Sequence, residues 1–357
     1  MESIGYVLID AYNMAYKAVH IHEGRKLSSG GDSSVIYGVM QQIATVRTIF
    51  PGHIPIVVWD SGYDERTKLS EEGVRAGVVP ERYKQNRDET DPFKQSVHDQ
   101  VPFLKSLISC TDIPQVIRKG CEADDLIASY CELLKGDGRC VVCYTSDDDY
   151  LQLLTKGVVR SSKNSGERIM DTEESFFKEY GISPSKWVDV GALCGDSGDN
   201  IFGVPGCGCV TAVKLVKEFG TYEKVLEKCQ SKYVGLRAEY PDLDEAGVDT
   251  LRSTKSDKRN PYLHCKSWMP FTGVALAIEQ HRVKNPGKQV ELCIAMYEKR
   301  VRLAYLLKKM VKDIPLPVPK LFKRWNKAQF EAVCAGFELR EIIPISDLFA
   351  CSEIDRD

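Results

Sequence analysis

Three short apolar runs, each leading into an aspartate, restrict most strongly what this chain can fold into. The runs occupy residues 6–10, 54–60 and 140–144. Uninterrupted runs of this length, rich in strand-forming side chains, are typical of parallel strands buried on both faces. Ligands of open α/β sheets bind just beyond the carboxyl ends of such strands. We therefore expect Asp10, Asp60 and Asp147 to meet at one edge of one sheet.

Further carboxylates follow in two other places. Residues 122–125 open an apolar-periodic helix, and residues 195–200 form a glycine-rich loop that carries two aspartates. One acidic cluster in a first helical turn could simply stabilise the helix through its dipole. Several clusters at strand ends, however, repel one another unless cations hold them together. The full set of nine is Asp10, Asp60, Glu122, Asp124, Asp125, Asp147, Asp149, Asp196 and Asp199.

The chemistry of this set indicates a metal centre. Oxygen ligands without His or Cys among them favour Mg²⁺ or Mn²⁺ over zinc. Nine carboxylates are too many for one ion, so we predict a two-metal site with ions about 3.5–4 Å apart, as nucleases and phosphatases use. The carboxylates alone do not specify the substrate, and a phosphatase acting on small phosphoesters is a second reading.

Composition limits the class of protein. The chain has 357 residues, enough for one large domain or two lobes. Its apolar runs are shorter than the roughly 18–20 residues of a membrane helix, and its first residues lack the pattern of a signal peptide. We therefore expect a protein of the cytoplasm that does not enter a membrane.

The 13 cysteines show no framework spacing, so we expect reduced thiols and not disulfides. Cys140 and Cys143 have redox-motif spacing, but they lie along a predicted buried strand and are interpreted as core residues. Cys207 and Cys209 lack a second pair at zinc-finger spacing.

Charge is distributed in a way that suits a polyanion. The net charge is −3, but the nine proposed ligands account for more than this, which leaves +6 on the rest of the chain. Residues 282–327 carry 13 Lys and Arg against 3 Asp and Glu. Such a surface favours phosphate backbones, although a solvated helix face is the simpler alternative.

The ordered motifs of the chain resemble the 5′-nuclease family, which comprises flap endonucleases, phage 5′→3′ exonucleases and the 5′-nuclease domain of bacterial DNA polymerase I. The motifs occupy residues 8–10, 58–60, 83–87, 122–125, 145–149, 195–200 and 203–208. Each is weakly specific alone, but seven in this order make coincidence improbable. The resemblance covers about residues 4–228 and returns near 286–345.

The resemblance implies an α/β fold with a mainly parallel central sheet flanked by helices, which is the PIN-like 5′-nuclease fold. It also implies a helical arch and a C-terminal helical lobe that contains a helix–three-turn–helix. The expected divisions are a catalytic lobe at 1–185 with the arch at 61–95, a duplex-binding region at 186–228, an insertion of unknown role at 229–283 and a helical extension at 284–357. Within them, we predict a hairpin over 156–171, a helix over 176–189 and a basic helix over 297–312.

The family's pattern assigns the carboxylates to two ions. Asp10, Asp60, Glu122 and Asp124 would surround one ion, with Asp124 central to catalysis. The second ion would have the ligands Asp147, Asp149, Asp196 and Asp199, with Asp125 nearby. The predicted cofactor is Mg²⁺, for which Mn²⁺ could substitute, and K⁺ could bind at the helix–three-turn–helix.

Nucleic-acid contacts are assigned by the same resemblance. Lys84 would neutralise the scissile phosphate, Arg87 would support it, and Tyr83 would offer a base-stacking face. Residues 61–95 contain many charged side chains and few aliphatic ones, so we expect this segment to bury little. The alternative to an arch is a mobile charged loop.

Other contacts depart in part from the family's pattern. Lys17 stands where members commonly carry Arg. A lysine keeps the positive charge but cannot make the bidentate contact of a guanidinium. Gly206 and Gly208 would allow close approach to the duplex phosphates. Many members have Pro-Lys where this chain has Cys209 and Val210, so Lys214 and Lys217 are the candidate substitutes.

The function implied is a metal-dependent 5′→3′ exonuclease with structure-specific flap endonuclease activity, in DNA replication or primer removal. Its expected partners are DNA with 5′ single-strand/duplex junctions and RNA–DNA primers, and we expect a monomer. A polymerase-sized segment does not follow in this sequence, which suggests a stand-alone nuclease such as phages carry, acting in a bacterial or phage-infected cell. The main alternative is a catalytically silent relative that binds DNA.

Overall fold

The computed structural model describes residues 5–87, 90–135, 140–164, 167–232, 286–318, 325–336 and 338–350. The chain divides into two compact units. The first contains residues 1–62, 88–173 and 310–357, and the second contains residues 63–87 and 174–309. Neither unit is a single continuous stretch of chain. The predicted extension at 284–357 is divided between them after Lys309, and residues 63–87 of the predicted arch group with the second unit.

The strands and helices follow one another in an α/β order. The strands are β1 (Tyr6–Asp10), β2 (Ile54–Trp59), β3 (Gln115–Ile117), β4 (Val141–Tyr144), β5 (Val158–Asn164), β6 (Glu167–Asp171), β7 (Gly195–Asp196) and β8 (Ile201–Phe202). The helices are α1 (Ala11–Ile21), α2 (Ser34–Ile49), α3 (Asp64–Arg75), α4 (Pro92–Ile108), α5 (Ala123–Leu134), α6 (Glu173–Tyr180), α7 (Trp187–Cys194), α8 (Cys209–Phe219), α9 (Tyr222–Lys232), α10 (Pro286–Met296), α11 (Glu298–Lys308) and α12 (Lys327–Gly336). Short 3₁₀ turns occupy Asp148–Leu153, Pro184–Lys186 and Ile343–Phe349.

The first unit is built on a six-stranded sheet with the spatial order β3-β2-β1-β4-β5-β6. Strands β1 to β5 run parallel, and β6 returns antiparallel to β5 in the hairpin predicted over 156–171. The prediction of a mainly parallel sheet flanked by helices is confirmed. Strand β1 lies at the centre, between β2 and β4, so the ends of these three strands are neighbours.

Both faces of the sheet are covered, as the continuous apolar runs predicted. Along β1, Val7 and Ile9 belong to one buried cluster, and Tyr6 and Leu8 belong to the other. This alternation follows from the two-residue period of a strand. One cluster includes α1, α2 and α4, and the other includes α5. Complete burial of β1 fixes the position of its last residue, Asp10.

The last described residues of the chain complete one of these cores. Phe330 and Phe349 are fully buried within the same cluster as α1 and α2. Arg47 on α2 ties the segment down, because its guanidinium donates hydrogen bonds to the carbonyls of Leu348 and Ala350 at 3.1 and 3.0 Å. The C-terminal segment is therefore part of the first unit's core and not an appendage to it.

The second unit is helical and buries more of the charged segment at 61–95 than the sequence suggested. Helix α3 packs against α11, and Val79 and Tyr83 lie in a buried cluster with Leu303 and Leu307. The expectation that this segment buries little is wrong for residues 63–87. The few apolar side chains here are concentrated on the face that meets α11.

Two predicted helices end differently from expectation. The helix predicted over 176–189 is two helices, because Gly181 adopts the left-handed region at φ 69° and a 3₁₀ turn at Pro184–Lys186 follows. The basic helix predicted over 297–312 ends at Lys308, where α11 terminates. Arg300 and Lys308 are buried, so they do not contribute to a basic surface.

Several predictions fall on residues that the structure does not describe. The predicted insertion at 229–283 lies almost entirely outside the described residues, as do Lys320, Lys323 and Arg324 of the basic region. Within the described ranges, none of the helices is both long and apolar enough to span a membrane.

Candidate metal centre and phosphate contacts

The first unit brings aspartates to adjacent strand ends, as the apolar runs predicted. Asp10 is the last residue of β1, Asp60 directly follows β2, and Asp147 lies three residues beyond β4. Asp10 also caps α1, because its Oδ1 accepts a hydrogen bond from the Asn13 amide at 3.0 Å. The strand-to-helix turn that the sheet imposes thus directs this carboxylate to the carboxyl edge.

The electrostatics of Asp10 show how close these carboxylates are. Burial raises the pKa of Asp10 to about 7, and the charges of Asp60 and Asp147 add to the rise. A hydrogen bond from the phenol of Tyr150 to Asp10 Oδ2, at 3.1 Å, acts in the opposite direction. A buried carboxylate beside two others is costly without a cation, and a bound cation would remove that cost.

Tyr150 marks the point where the carboxylates converge. Its ring is buried, and its pKa is raised first by burial and then by the charges of four aspartates. These are Asp10, Asp124, Asp147 and Asp60. Three strand ends and helix α5 therefore deliver carboxylates to one small region. The sequence analysis missed Tyr150, whose only signal is its place one residue after the acidic run.

The second acidic cluster lies at the start of α5. Ligand oxygens of Glu122, Asp124 and Asp125 all lie within 4.8 Å of one another. The position of α5 is tied to the strand edge, because Asp60 Oδ1 accepts a hydrogen bond from the Ala123 amide at 2.8 Å. The cluster therefore lies beside the end of β2, and its assignment as a metal ligand set stays a prediction.

Asp125 has a structural partner as well. Its Oδ1 accepts a hydrogen bond from the Val311 amide at 2.8 Å, and its side chain is buried. This contact connects α5 to the segment that follows α11. One oxygen of Asp125 is thereby engaged in holding the chain, which fits a place beside the metal centre better than a place in it.

The acidic turn after β4 is held by an arginine that the sequence analysis did not select. The Arg160 guanidinium donates to the Asp147 carbonyl at 2.8 Å, to Asp148 Oδ1 at 2.7 Å and to Asp171 Oδ2 at 2.8 Å. Burial opposes the charge of Arg160, but its bonds to Asp148 and Asp171 outweigh burial and raise its pKa. The side chains of Asp147 and Asp149 are positioned by this turn, since Asp147 Oδ1 accepts from the Asp149 amide at 2.9 Å.

Lys17 lies close to the acidic edge of the sheet, the end of the strands where Asp10 and Asp147 lie. It is half-buried on α1, and burial lowers the pKa of its ammonium, while Asp10 and Asp147 act to raise it. The phosphate contact assigned to Lys17 from the sequence stays a prediction.

The second unit contains Asp196 and Asp199, and each is paired with cations of its own unit. The buried Lys308 ammonium lies 2.8 Å from Asp196 Oδ2. Although burial alone would raise the pKa of Asp196, Lys308 and the amides of Gly198 and Asp199 lower it. Asp199 accepts from Arg87 Nη2 at 2.8 Å. Lys308 was predicted only as part of a basic surface, and its role as a buried partner was missed.

The motif at residues 83–87 is anchored to Asp199. The Lys84 amide donates to the Asp199 carbonyl at 2.8 Å, and the Tyr83 hydroxyl donates to Asp199 Oδ2 at 3.2 Å. The Lys84 ammonium lies over the rings of Tyr63 and Tyr83, at 5.2 and 4.7 Å from their centroids, and 3.9 Å from Asp199 Oδ2.

The stacking role predicted for Tyr83 does not suit this geometry. Only 5% of Tyr83 is exposed, and its ring packs in the cluster with Leu303. The ring instead forms one wall beside the Lys84 ammonium, through a cation–π contact.

The glycine-rich turn leads from β8 into α8. Gly206 requires glycine because it adopts φ 78°, in the left-handed region, and Gly208 caps α8. Lys214 and Lys217 are both exposed on α8. The turn and the helix thus present a helix N-terminus and two exposed cations on one element, and their role in duplex binding stays a prediction.

Comparison with known proteins decides the family. Residues 5–181 match the family described as 5′-3′ exonuclease, N-terminal resolvase-like domain, and residues 182–247 match its counterpart, 5′-3′ exonuclease, C-terminal SAM fold. Together the two matches cover well over half of the chain. The chain belongs to the 5′-3′ exonuclease family.

Bacterial relatives of this family are similar over much of the chain. A 5′-3′ exonuclease of Aquifex aeolicus is 29% identical over 66% of this chain and 78% of its own length. DNA polymerase I of Bacillus subtilis is 32% identical over 62% of this chain, but the match spans only 24% of the polymerase. The 5′-3′ exonuclease of Halalkalibacterium halodurans is 37% identical over 42% of this chain and 48% of its own length. The chain therefore corresponds to a limited part of some members of the family.

Two solved structures share the fold. T5 5′-exonuclease with bound divalent metal ions (zinc) has a TM-score of 0.50 at 16% identity, over 96% of this chain and 99% of that one. The catalytic core of Rad2 in complex with a DNA substrate has a TM-score of 0.56 at 16% identity, over 96% and 92%. At 16% identity, these likenesses establish the fold of this family member and nothing about its activity.

The residues of the first unit fit divalent cations. The donors at its acidic edge are carboxylate oxygens, and the raised pKa of Asp10 shows that they repel one another. The charges of Asp10, Asp60, Asp124 and Asp147 all raise the pKa of Tyr150, and ligand oxygens of Glu122, Asp124 and Asp125 lie within 4.8 Å of one another. The assignment of Asp196 and Asp199 to the same ions stays a prediction.

Proposed function

We propose that this member of the 5′-3′ exonuclease family is a metal-dependent 5′→3′ exonuclease with structure-specific flap endonuclease activity. The observation that carries the proposal is the convergence of Asp10, Asp60, Asp124 and Asp147 on the buried phenol of Tyr150. A carboxylate group of this density suits a pair of hard cations, and the family match gives the class of reaction. The proposed reaction is hydrolysis of a phosphodiester near a single-strand/duplex junction.

When bound, two divalent cations supply an activated water and stabilise the charge on the departing oxygen. The chain's own residues position the rest. Tyr150 holds one oxygen of Asp10 by a hydrogen bond, and Arg160 holds the backbone of the turn that carries Asp147. We assign Lys84 to the scissile phosphate, where a fixed ammonium would offset negative charge that develops during the reaction. Arg87 supports that phosphate in the same proposal.

Asp196 and Asp199 can bind a metal ion only if it competes with the cations that already pair with them. Both are ion-paired within the second unit, with Lys308 and Arg87 respectively. A divalent cation that took them as ligands would have to compete with these cations. We propose that Mg²⁺ does so, with Mn²⁺ as a substitute, and that K⁺ binds at the helix–three-turn–helix. The support for Mg²⁺ is the all-oxygen donor set of the first unit.

The finer features of the proposal concern substrate and setting. We propose that the substrates are DNA with 5′ single-strand/duplex junctions and RNA–DNA primers, that residues 61–95 act as an arch over the single strand, and that residues 186–228 hold the duplex. We further propose a monomer that acts in replication, in the cytoplasm of a bacterium or of a phage-infected host. The exposed cations of α8 and the DNA complex of the Rad2 core support the choice of DNA.

A pair of substitutions tests the metal centre. Asp124→Asn removes a carboxylate charge from the converging group, so cleavage of a 5′-labelled flap should be abolished while flap binding is largely retained. Asp148→Asn is the matched control, because Asp148 lies in the same acidic turn but is 73% exposed and outside the proposed set. It should cleave at a rate close to that of the parent protein.

Cleavage by the parent and both variants is measured on 5′-labelled flap, nicked duplex and single-stranded DNA, and on a small chromogenic phosphoester. Near-normal turnover by Asp124→Asn at saturating magnesium would contradict the metal assignment. Cleavage of the phosphoester but not of DNA would replace the nuclease proposal with a phosphatase.

A further inference from the structure

Two cysteines of the second unit lie in contact where α7 ends and α8 begins. Cys194 is the last residue of α7, and Cys209 is the first residue of α8. The Cys194 thiol is hydrogen-bonded to the Cys209 thiol, although 14 residues separate them in the chain. All the described cysteines are free thiols, these two included.

The backbone holds this pair together from both sides. The Val204 amide donates to the Leu193 carbonyl at 2.8 Å, and β7 pairs with β8, so the turn after β8 folds back on the end of α7. A Cβ atom on Gly203 would lie 2.2 Å from the Cys194 carbonyl carbon, so the two backbones meet without room for a side chain. The proximity of the thiols is thus a consequence of the fold and does not depend on a mobile side chain alone.

The two thiols differ in access. Cys209 is exposed, whereas Cys194 is partly covered. Cys209 also lies in the first turn of an 11-residue helix. An exposed thiol of this kind with a second thiol beside it is the arrangement found in cysteines that are oxidised reversibly.

We propose that Cys194 and Cys209 form a reversible redox couple, in which oxidation by a hydroperoxide joins the end of α7 to the start of α8 through a disulfide. In the first step the Cys209 sulfur displaces an alcohol or water from the peroxide oxygen and becomes a sulfenic acid. In the second step the Cys194 sulfur attacks the Cys209 sulfur, the S–S bond forms and water leaves. Two thiols and one hydroperoxide thus give one disulfide, one alcohol or water, and one further water. A dithiol reductant reverses the change by exchange.

A consequence for binding rests on the proposed function. A disulfide shortens the distance between the two sulfurs to about 2.05 Å, which draws the first turn of α8 towards α7. That turn is the element proposed to face a duplex phosphate. We therefore expect oxidation to weaken duplex binding by about two- to fivefold, the range in which a helix N-terminus stabilises an anion.

Peptide mapping of the full-length chain tests the couple directly. The reduced protein is treated with hydrogen peroxide, its remaining thiols are alkylated under denaturing conditions, and unreduced digests are analysed by mass spectrometry. We expect a Cys194–Cys209 linked peptide lacking two hydrogen atoms, which disappears on reduction. In the Cys194→Ser variant, Cys209 should instead be trapped by dimedone as a sulfenic acid.

The chain offers a matched control pair. Cys131 and Cys143 have their sulfurs 3.5 Å apart, but both are buried in the first unit. They should remain alkylatable after the same treatment, since peroxide cannot reach them in the folded protein. Recovery of Cys209 without a link to Cys194, a Cys194–Cys207 link in its place, or equal oxidation of the Cys131 pair would overturn the proposal.

Duplex affinity is then measured without divalent cations, so that cleavage does not enter. The oxidised parent should bind more weakly than the reduced parent, and Cys194→Ser should show no such difference. A disulfide that forms without any change in affinity would overturn the regulatory consequence. Failure of the reduced protein to bind duplex at all would contradict the proposed function, while the linked peptide would still establish the couple.

Discussion

Replacing Arg160 with methionine should destabilise the first unit strongly, because this side chain is the main support of the acidic turn at 147–149. Only 8% of the Arg160 side chain is exposed, and it makes three hydrogen bonds. Arg160→Met keeps an apolar side chain of similar length and removes the guanidinium. The carboxylate of Asp171 and the carbonyl of Asp147 would then lose this donor.

The magnitude follows from the exposure of each partner. The bond to Asp171, whose side chain is 20% exposed, contributes about 1.5–3 kcal/mol as a charge-assisted bond. The Asp147 carbonyl would keep the Tyr150 amide as a donor at 3.4 Å, so losing its bond to Arg160 costs about 0.5–1.5 kcal/mol. Asp148 is so exposed that its ion pair contributes only about 0–1 kcal/mol. Together these contributions predict a loss of about 2–5.5 kcal/mol. This interval includes the range of about 3–5 kcal/mol measured when one partner of a buried ion pair is removed.

Denaturant unfolding of the full chain, followed by far-ultraviolet circular dichroism, measures this loss. Asp148→Ala should lower the free energy of unfolding by less than about 1 kcal/mol, because the Asp148 side chain is itself 73% exposed. Arg160→Lys should fall between the parent and Arg160→Met, since a lysine keeps the charge without the fork. If Arg160→Met costs less than Asp148→Ala, the inference that Arg160 holds the turn is refuted.

Three further predictions concern the second unit. Lys84→Ala should raise the activation free energy of the chemical step by about 2.7–4 kcal/mol, as loss of a transition-state donor does, with little change in substrate binding. Equal losses in single-turnover rate and in affinity would show that Lys84 only helps to bind the substrate. The combined variant Lys214→Ala with Lys217→Ala should bind duplex more weakly and reduce the slope of log affinity against log salt by about 2; an unchanged slope would show that these cations do not meet phosphates. Burial raises the pKa of Asp189 above its usual 3.8, so its charge penalises the folded state at neutral pH and not below pH 3.8. The stability of Asp189→Asn relative to the parent should therefore rise as the pH increases from 3.8. Asp189→Ala should lose about 1–3 kcal/mol of stability, because the Tyr222 amide loses its acceptor. A difference in stability between Asp189→Asn and the parent that does not vary with pH would contradict this.

The sheet and its acidic edge could be predicted because both are encoded locally. An apolar run such as 54–60 fixes a buried strand, and an aspartate at its end is carried to the sheet edge whatever the rest of the chain does. The break in the predicted helix at 176–189 was encoded locally too. Gly181 and Pro184 are helix-ending residues, and they end the helix although the apolar periodicity continues on both sides of them.

Other features depend on residues distant in sequence. Arg160 reaches Asp148 across a strand pair, and Lys308 reaches Asp196 over 112 residues. A charged residue in the sequence carries no mark that its partner will be buried with it. The contact of Cys194 with Cys209 likewise arises from the glycine turn between them, which the cysteine spacing does not reveal.

The return of the C-terminal segment to the first unit has a consequence for how the chain must be synthesised and cut. Arg47 reaches Ala350 across 303 residues, so the core that holds α2 cannot close until almost the whole chain has left the ribosome. Until then the apolar face that receives Phe330 and Phe349 is open to other chains, and contacts of such long range form slowly. A fragment ending at residue 247, where the family match ends, would keep every proposed metal ligand and still lack this part of its core. Such a fragment should aggregate, because the first unit needs the described residues of 310–350 to complete its fold, although none of them is assigned to the proposed chemistry.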